Sequence, residues 1–242
     1  MTTLILDNDN PVLEEEPAGY SIKYQRQSDI IDTAELKKTR ISIVGAGSLG
    51  SFTALALGKM GIGHLQVWDD DIVDEVNFSN QFFRKQDMDI LKVNALSKVV
   101  NSFTEAEYSG NIYKFSGASV VSGEILIALP DNMETRSTAY KVFLSNDKIH
   151  TFIDARAGAE LMRLYVLRDK SEQTREFYEE TLYDDNEAEP VKCTAQTIIY
   201  NVMLVSSFIG RAVKAVINKE EFPKEVIFSM ARIDDISYMI RG

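Results

Sequence analysis

The sequence predicts an α/β fold with a mixed, mainly parallel sheet, and three observations near its start carry that prediction. A β-branched run over 41–44 ends at a glycine loop that reads G-A-G-S-L-G over 45–50. Apolar residues then recur at helical spacing up to Met60, and a second apolar run over 65–68 leads into three aspartates. Strand, glycine turn, helix, strand and acid form a βαβ unit with parallel strands. We therefore predict a Rossmann-like dinucleotide-binding fold.

The remaining pattern extends this unit into one domain over 22–242. Five acids and no Lys or Arg in the first 20 residues predict an acidic, mobile arm over 1–21. Nine Asp or Glu residues over 168–190 predict a solvated crossover loop or a lid. Helices are expected over 29–39, 92–103, 134–144 and 196–217, and strands over 124–129, 151–154 and 161–167, with a terminal hairpin of 225–230 and 233–239.

Composition excludes several classes of protein. The chain has 242 residues with 26 Lys+Arg against 37 Asp+Glu, a net charge of −11, so a basic surface for nonspecific nucleic-acid binding is not expected. No apolar run reaches membrane-spanning length and no basic-then-apolar segment opens the chain, which predicts a cytoplasmic protein without a membrane partner. A single cysteine can form neither an internal disulfide nor a Cys-rich zinc site.

The glycine loop predicts a nucleotide site. Gly45 permits the tight turn, Gly47 lets a phosphate approach the backbone, and Gly50 lets the helix pack closely on the strand. The N-terminus of the following helix offers free N–H groups to a phosphate. Asp69 follows Gly45 by 24 positions, where an acid can hold ribose hydroxyls. These features fit a nicotinamide enzyme and an adenylate-forming enzyme equally well.

Five segments in order carry a resemblance to one family. The stretch 69–81, D-D-D-I-V-D-E-V-N-F-S-N-Q, resembles the D-x-D-x-V-x-x-x-N-x-x-R-Q stretch of the ThiF/MoeB/HesA family, the bacterial relatives of the ubiquitin-activating enzymes. K-Y-Q-R-Q over 23–27 is similar to that family's R-Y-x-R-Q, and D-I-L-K over 89–92 to its D-I-G-x-x-K region. P-D-N over 130–132 with Arg136 is similar to its D-N-x-x-x-R segment, and 152–167 to the two strands that follow.

The resemblance implies an ATP-dependent adenylyltransferase. In this family a carboxylate, usually the C-terminal glycine of a ubiquitin-like or sulfur-carrier protein, attacks the α-phosphorus of ATP and releases pyrophosphate. By the resemblance, Lys92 faces the phosphates, Asn77 bonds near them, Asp131 holds Mg²⁺, and Arg26 reaches the γ-phosphate of the other subunit of a homodimer. The nucleotide side of the site would comprise Gly45, Gly47, Leu49, Gly50, Asp69, Asp71, Asn80, Lys92 and Asp131.

The sequence departs from the family pattern at one position of the site. Asn80 stands where the family has a phosphate-contacting arginine, and an amide cannot supply that charge. Our hypothesis is that Arg84 or Arg26 replaces it. The alternatives are a non-catalytic scaffold with this fold and, less favoured, an NAD-dependent oxidoreductase.

Several questions stay open at the level of sequence. The acceptor could be a carrier protein, a short peptide or an RNA base. The paired C-x-x-C zinc motifs common in the family are absent, so no zinc is predicted. Cys193 is the only thiol that could form a thioester, at the expected start of the long helix, but a buried non-catalytic role is favoured. His64 and His150 are expected to be structural, and Asp131 could cap the helix that follows it, a role that does not exclude binding a metal.

Overall fold

Ten strands and six α-helices make up the part of the chain that the computed structural model describes, which is residues 6–7, 10–11, 22–183, 197–231 and 238–241. The expected acidic arm therefore lies mostly outside the described residues. The strands are β1 (Leu6–Asp7), β2 (Asn10–Pro11), β3 (Arg40–Val44), β4 (His64–Trp68), β5 (Glu107–Asn111), β6 (Ile125–Ala128), β7 (Thr151–Gly158), β8 (Leu161–Leu167), β9 (Glu225–Ser229) and β10 (Tyr238–Arg241).

The helices follow the predicted apolar periodicity, with one addition. They are α1 (Thr33–Lys38), α2 (Ser48–Met60), α3 (Lys92–Phe103), α4 (Met133–Ser145), α5 (Glu172–Glu179) and α6 (Ile199–Ile217), with 3-10 helices at Ile22–Gln27, Glu75–Ser79 and Lys85–Asp87.

The main sheet has eight strands in the order β10-β9-β8-β7-β6-β3-β4-β5. The five strands from β7 to β5 are mutually parallel, and β8, β9 and β10 continue the sheet antiparallel. The predicted mixed, mainly parallel sheet and α/β class are thus confirmed. From β3 the chain runs outward to β4 and β5 and returns to β6 on the other side of β3, so a crevice opens at the carboxyl ends of β3 and β6.

Helices cover both faces of the sheet. On one face α2, α3 and α6 pack against the strands through residues such as Leu57, Leu96 and Val205. On the other face α4 and α5 pack through an aromatic group that includes Phe143, Phe152 and Tyr178. Helix α6 is long and apolar enough to meet a membrane-span criterion by length and composition alone, but half of that window is buried in the protein, as in a core helix.

Three expectations about the elements need correction. Residues 168–190 are not a continuous loop, because helix α5 lies within them with Thr174 and Tyr178 buried. Strand β5 was not predicted, since E-Y-S-G-N shows no apolar alternation and it pairs only at the sheet edge. Helix α6 begins at Ile199, so Cys193 precedes it and lies outside the described residues. The expected terminal strand pair is confirmed as β9 antiparallel to β10, but the second strand is Tyr238–Arg241 instead of 233–239, and residues 233–237 lie outside the described residues.

Candidate active site

The glycine loop joins β3 to α2 at the crevice between β3 and β6. Gly45 has a φ of +99°, and a Cβ there would lie 2.7 Å from the carbonyl oxygen of Leu129 at the end of β6. A Cβ on Gly50 would overlap the carbonyl oxygen of Gly45. Gly47 differs from both, because a Cβ there would have no atom within 4 Å. Two of the three glycines are therefore required by the fold, and the third faces open space.

Helix α2 presents an uncapped N-terminus to this open space. Its N-cap residue is Gly47, which has no side chain to accept a hydrogen bond. The first intrahelical bond runs from the N–H of Ser51 to the Gly47 carbonyl at 2.9 Å, so the N–H groups of residues 48–50 have no intrahelical acceptor. These donors and the positive end of the helix dipole suit a phosphate. Leu49 is buried and contributes to the site only through its backbone.

Asp69 holds the glycine loop from the end of β4. One carboxylate oxygen accepts a hydrogen bond from the N–H of Ala46 at 2.6 Å, and the other accepts from the N–H of Asp71 at 2.9 Å. Burial raises the pKa of the Asp69 carboxyl, and the bond from Ala46 opposes that shift. Asp69, which is predicted to hold ribose hydroxyls, therefore bonds the glycine loop, a structural task that its sequence position does not reveal.

Lys92 and Asp71 form an ion pair close to Asp69, in the region that follows β4. The Lys92 Nζ lies 2.7 Å from Asp71 Oδ2, and the Lys92 N–H donates to the Asp71 carbonyl at 2.8 Å. The Lys92 side chain is 9% exposed, whereas that of Asp71 is 67% exposed. An anionic ligand could therefore displace the Asp71 carboxylate without unpacking the lysine.

The turn after β6 places Asp131 beside the glycine loop. Asp131 is exposed, and its Oδ1 accepts from the side-chain amide of Asn132 at 3.1 Å. The N-cap of α4 is Asn132, whose oxygen accepts from the N–H of Thr135 at 2.8 Å, so the alternative that Asp131 caps this helix is wrong. A lone exposed carboxylate suits Mg²⁺, which is commonly bound by one or two carboxylates and substrate phosphates. No group of three or more possible metal-ligating residues occurs in the described parts of the chain.

Asn77 and Asn80 lie in the loop after β4, and the side chain of each forms a hydrogen bond within the protein. The Asn77 Oδ1 accepts from the N–H of Asp74 at 2.9 Å and completes a capping box. Asn80 is 8% exposed, and its amide donates to the carbonyl of Thr197 at 3.3 Å. Where the family has an arginine, this chain therefore has a buried link to the segment that precedes α6.

Arg84 is held by an acid of its own loop. Its Nε and Nη2 donate to the two oxygens of Asp87, each at 2.8 Å, and the backbone N–H of Arg84 adds a third bond at 3.0 Å. The Arg84 side chain is 42% exposed and the Asp87 side chain is buried. The hydrogen bonds from Arg84 lower the pKa of the Asp87 carboxyl. Arg84 is thus oriented by Asp87, and its proposed phosphate contact stays a prediction.

Arg26 lies at the opposite end of α2 from the glycine loop. Its neighbour Gln27 bonds the carbonyl of Met60, and the Tyr24 ring packs against Gly61. Because α2 has 13 residues, about 20 Å separates this segment from the helix N-terminus. The exposed Arg26 side chain has no partner within the described chain. Arg26 therefore lies far from the glycine loop of its own chain.

A buried charged cluster in the middle of β7, beside the carboxyl end of β6, was not predicted as part of the site. Its centre is Asp154, which receives hydrogen bonds from Arg136, Arg156 and Tyr178. Asp154 and Arg136 lie in two of the segments that carry the family resemblance, but a single sequence does not reveal that their side chains are buried. Two charged residues inside a predicted buried strand, F-I-D-A-R over 152–156, are the available signal.

The fold and the glycine loop define a protein with a Rossmann-type nucleotide-binding fold. The ThiF family model matches residues 24–237, and the chain belongs to the ThiF family. It is 29% identical over 135 residues to ubiquitin-like modifier-activating enzyme 5 of Oryza sativa subsp. japonica, covering 54% of this chain and 32% of that protein. It is 31% identical over 93 residues to the same enzyme of Mus musculus, covering 38% and 23%. The chain thus spans about a third or less of the length of these relatives.

Solved structures share the fold at lower identity. PaaA superposes with a TM-score of 0.72 at 17% identity, covering 98% of this chain and 77% of that one. E. coli MccB in complex with ATP superposes with a TM-score of 0.70 at 15% identity, covering 93% and 74%. The microcin C7 biosynthetic enzyme MccB has also been solved in complex with N-formylated MccA. These likenesses establish the fold.

Proposed function

We propose that this protein is an ATP-dependent adenylyltransferase that activates the C-terminal carboxylate of a ubiquitin-like or sulfur-carrier protein and releases pyrophosphate. The proposal rests on three features at the carboxyl ends of the parallel strands. They are the uncapped helix N-terminus at Gly47, the ammonium group of Lys92 and the exposed carboxylate of Asp131. Membership of the ThiF family and the similarity to ubiquitin-like modifier-activating enzyme 5 support it.

The chemistry requires two anions to approach each other. The acceptor carboxylate attacks the α-phosphorus, a bond forms to its oxygen, and the bond to pyrophosphate breaks. Positioning and cationic stabilisation of the departing phosphates supply most of such catalysis. The N–H groups of α2 and the Lys92 ammonium would bind phosphates, and Asp131 would hold Mg²⁺, which neutralises phosphate charge when bound.

The acceptor proposed is a polypeptide with a free C-terminus. The relatives are named as activating enzymes for ubiquitin-like modifiers, and the fold neighbour MccB has been solved with MccA. The test is exchange of labelled pyrophosphate into ATP in the presence of a sulfur-carrier protein ending in glycine. Exchange should require the carrier and should be lost with Lys92→Ala or when the carrier's terminal glycine is deleted. Carrier-independent exchange, or none with any glycine-ending carrier, would contradict the proposed acceptor.

We also propose a homodimer in which Arg26 completes the partner's site. The position of Arg26 at the far end of α2 supports this, and exposed apolar side chains, Ile22 and Ile30, flank it. Mixing an Arg26→Ala protein with a Lys92→Ala protein should rebuild one intact site in each mixed dimer, about a quarter of wild-type activity after random exchange. Activity that mixing does not restore would mean that Arg26 does not act across subunits.

The scaffold reading is the second candidate, and Asn80 is the observation that favours it. Its amide is buried against Thr197 and carries no charge for a departing pyrophosphate. A scaffold of this kind would bind its partner protein without pyrophosphate exchange and without measurable ATP binding. The two candidates are therefore separated by ATP titration.

A further inference from the structure

A fully buried carboxylate organises the face of the sheet covered by α4 and α5. The Asp154 side chain is 0% exposed and pairs with Arg136, whose side chain is 6% exposed. Its other oxygen accepts from Arg156 Nε at 2.8 Å and from the Tyr178 hydroxyl at 2.9 Å. Asp154 lies beside Ala128 in the β6–β7 register, and Ala128 is the last residue of β6 before the turn that contains Asp131.

The cluster is not balanced in charge. Two guanidinium groups surround one carboxylate, which leaves one positive charge in excess at a buried position. Burial, together with the neighbouring charge of Arg156, lowers the pKa of Arg136 to about 10, and the nearby Asp131 carboxylate acts in the opposite direction. Buried ion pairs are in general weak stabilisers, because desolvation offsets their attraction. Because desolvation offsets the attraction within this cluster, we expect the cluster to have a role other than stabilising the fold.

Each of the two arginines also donates a hydrogen bond to a backbone carbonyl group of a neighbouring segment. The Nη2 of Arg136 donates to the carbonyl of Pro130 at 2.6 Å, directly before Asp131. Arg156 donates to the carbonyl of Thr181 at 2.8 Å and to its hydroxyl at 3.0 Å. Asp154 thus fixes, through Arg136, the peptide that carries the Asp131 carboxylate.

We propose that the Asp154–Arg136 pair positions Asp131 for metal–nucleotide binding. The inference rests on the proposed function, and it assigns to two buried side chains a task that neither performs by touching a ligand. Asp131 itself is exposed, and its Oδ1 accepts a hydrogen bond from the side-chain amide of the adjacent residue Asn132. The rigid support comes from Arg136, which bonds Asp154 and Pro130 with different nitrogens of one planar group.

The test uses Arg136→Lys, which keeps the positive charge but replaces the planar group that spans both acceptors. The probe is Mn²⁺, whose binding to the protein–ATP complex is followed by electron paramagnetic resonance. We expect Mn²⁺ affinity to fall by roughly 10- to 100-fold, as is usual when a group that orients a ligand is changed. ATP affinity without metal should stay unchanged. Arg163→Lys is the matched control, because Arg163 is exposed and lies opposite Arg156 in the β7–β8 register.

A double-mutant cycle separates positioning from general structural damage. If Arg136 acts through Asp131, Arg136→Lys should have no further effect on Mn²⁺ affinity in an Asp131→Ala background. An equal loss in both backgrounds, or unchanged Mn²⁺ affinity in the single variant, would overturn the inference. If Arg136→Lys does not fold, Tyr178→Phe, which removes one bond to Asp154 and keeps both ion pairs, takes its place. A wild-type chain that binds no ATP would instead refute the proposed function, and this inference with it.

Discussion

Gly47 and Gly50 lie three residues apart in one loop, yet the structure predicts opposite outcomes when each is changed to alanine. A Cβ on Gly50 would overlap the Gly45 carbonyl oxygen and lie 2.8 Å from its carbon. Both atoms are backbone, so relief requires α2 to move away from β3. A Cβ on Gly47 would meet nothing within 4 Å, so the fold itself does not oppose it.

The magnitudes follow from these contacts. Overpacking at Gly50 should cost about 1–3 kcal/mol of unfolding free energy, or roughly 2–12 °C in Tm for a domain of this size. Gly47→Ala should change stability by less than about 0.5 kcal/mol. In the complex, however, the methyl group would occupy the space where a phosphate approaches the α2 N–H groups. Loss of one charged hydrogen bond there is worth about 1.5–3 kcal/mol, roughly a 10- to 150-fold weaker Kd for ATP.

The assay is thermal unfolding followed by calorimetric titration with Mg-ATP, applied to both variants and to the wild type. Gly47→Ala should have the same Tm as the wild type but bind ATP more weakly. Gly50→Ala should show its main loss in Tm. Wild-type ATP affinity in Gly47→Ala would refute the assignment of the phosphate position, and a lowered Tm in that variant would refute the claim that Gly47 faces open space.

Three further substitutions test other parts of the site. Asp131→Asn should reduce Mg²⁺-dependent pyrophosphate exchange by about 100-fold and leave Tm unchanged, since Asp131 is exposed and the asparagine oxygen can still accept from Asn132; unchanged exchange would remove Asp131 from the site. Arg84→Gln should lower exchange if Arg84 replaces the family arginine, and full exchange would reject that half of the hypothesis. Because Arg84 lowers the pKa of the Asp87 carboxyl, its stabilising effect is present above about pH 4 and is lost as pH falls through the lowered value. Acid unfolding of Arg84→Gln, followed by circular dichroism, should therefore begin at a higher pH than in the wild type. Asn80→Ala should lower Tm by roughly 2–4 °C, because about 1 kcal/mol is lost with the bond to Thr197; an unchanged Tm would mean that this bond is not formed in solution.

The parts of the fold that follow periodicity could be predicted from the sequence. The βαβ unit, the glycine loop and helices α3 and α4 fall where apolar spacing and the Gly and Asn signals place them. Helix α5 could not be found this way, because its acidic composition masks two buried side chains, Thr174 and Tyr178, that dock it on the sheet. Strand β5 lacks apolar alternation because its residues are exposed or only half-buried at the border of the sheet.

Residue positions in the site could be inferred from motifs, but their partners could not. The ion pair of Lys92 with Asp71, and the bond of Asn80 to Thr197 across 117 positions, depend on tertiary structure. The position of Arg26 at the far end of α2 likewise depends on how its segment packs against Met60. Local patterns identify residue types suited to a task, whereas long-range packing decides which of them meet.

The central claim, that this fold binds ATP at the α2 N-terminus, is tested most directly by calorimetric titration of the wild-type chain with Mg-ATP and, in parallel, with NAD. We predict saturable ATP binding that Lys92→Ala weakens, and no heat of binding for NAD. Binding of NAD alone would contradict the account and favour an oxidoreductase. Binding of neither would favour the scaffold to which Asn80 points.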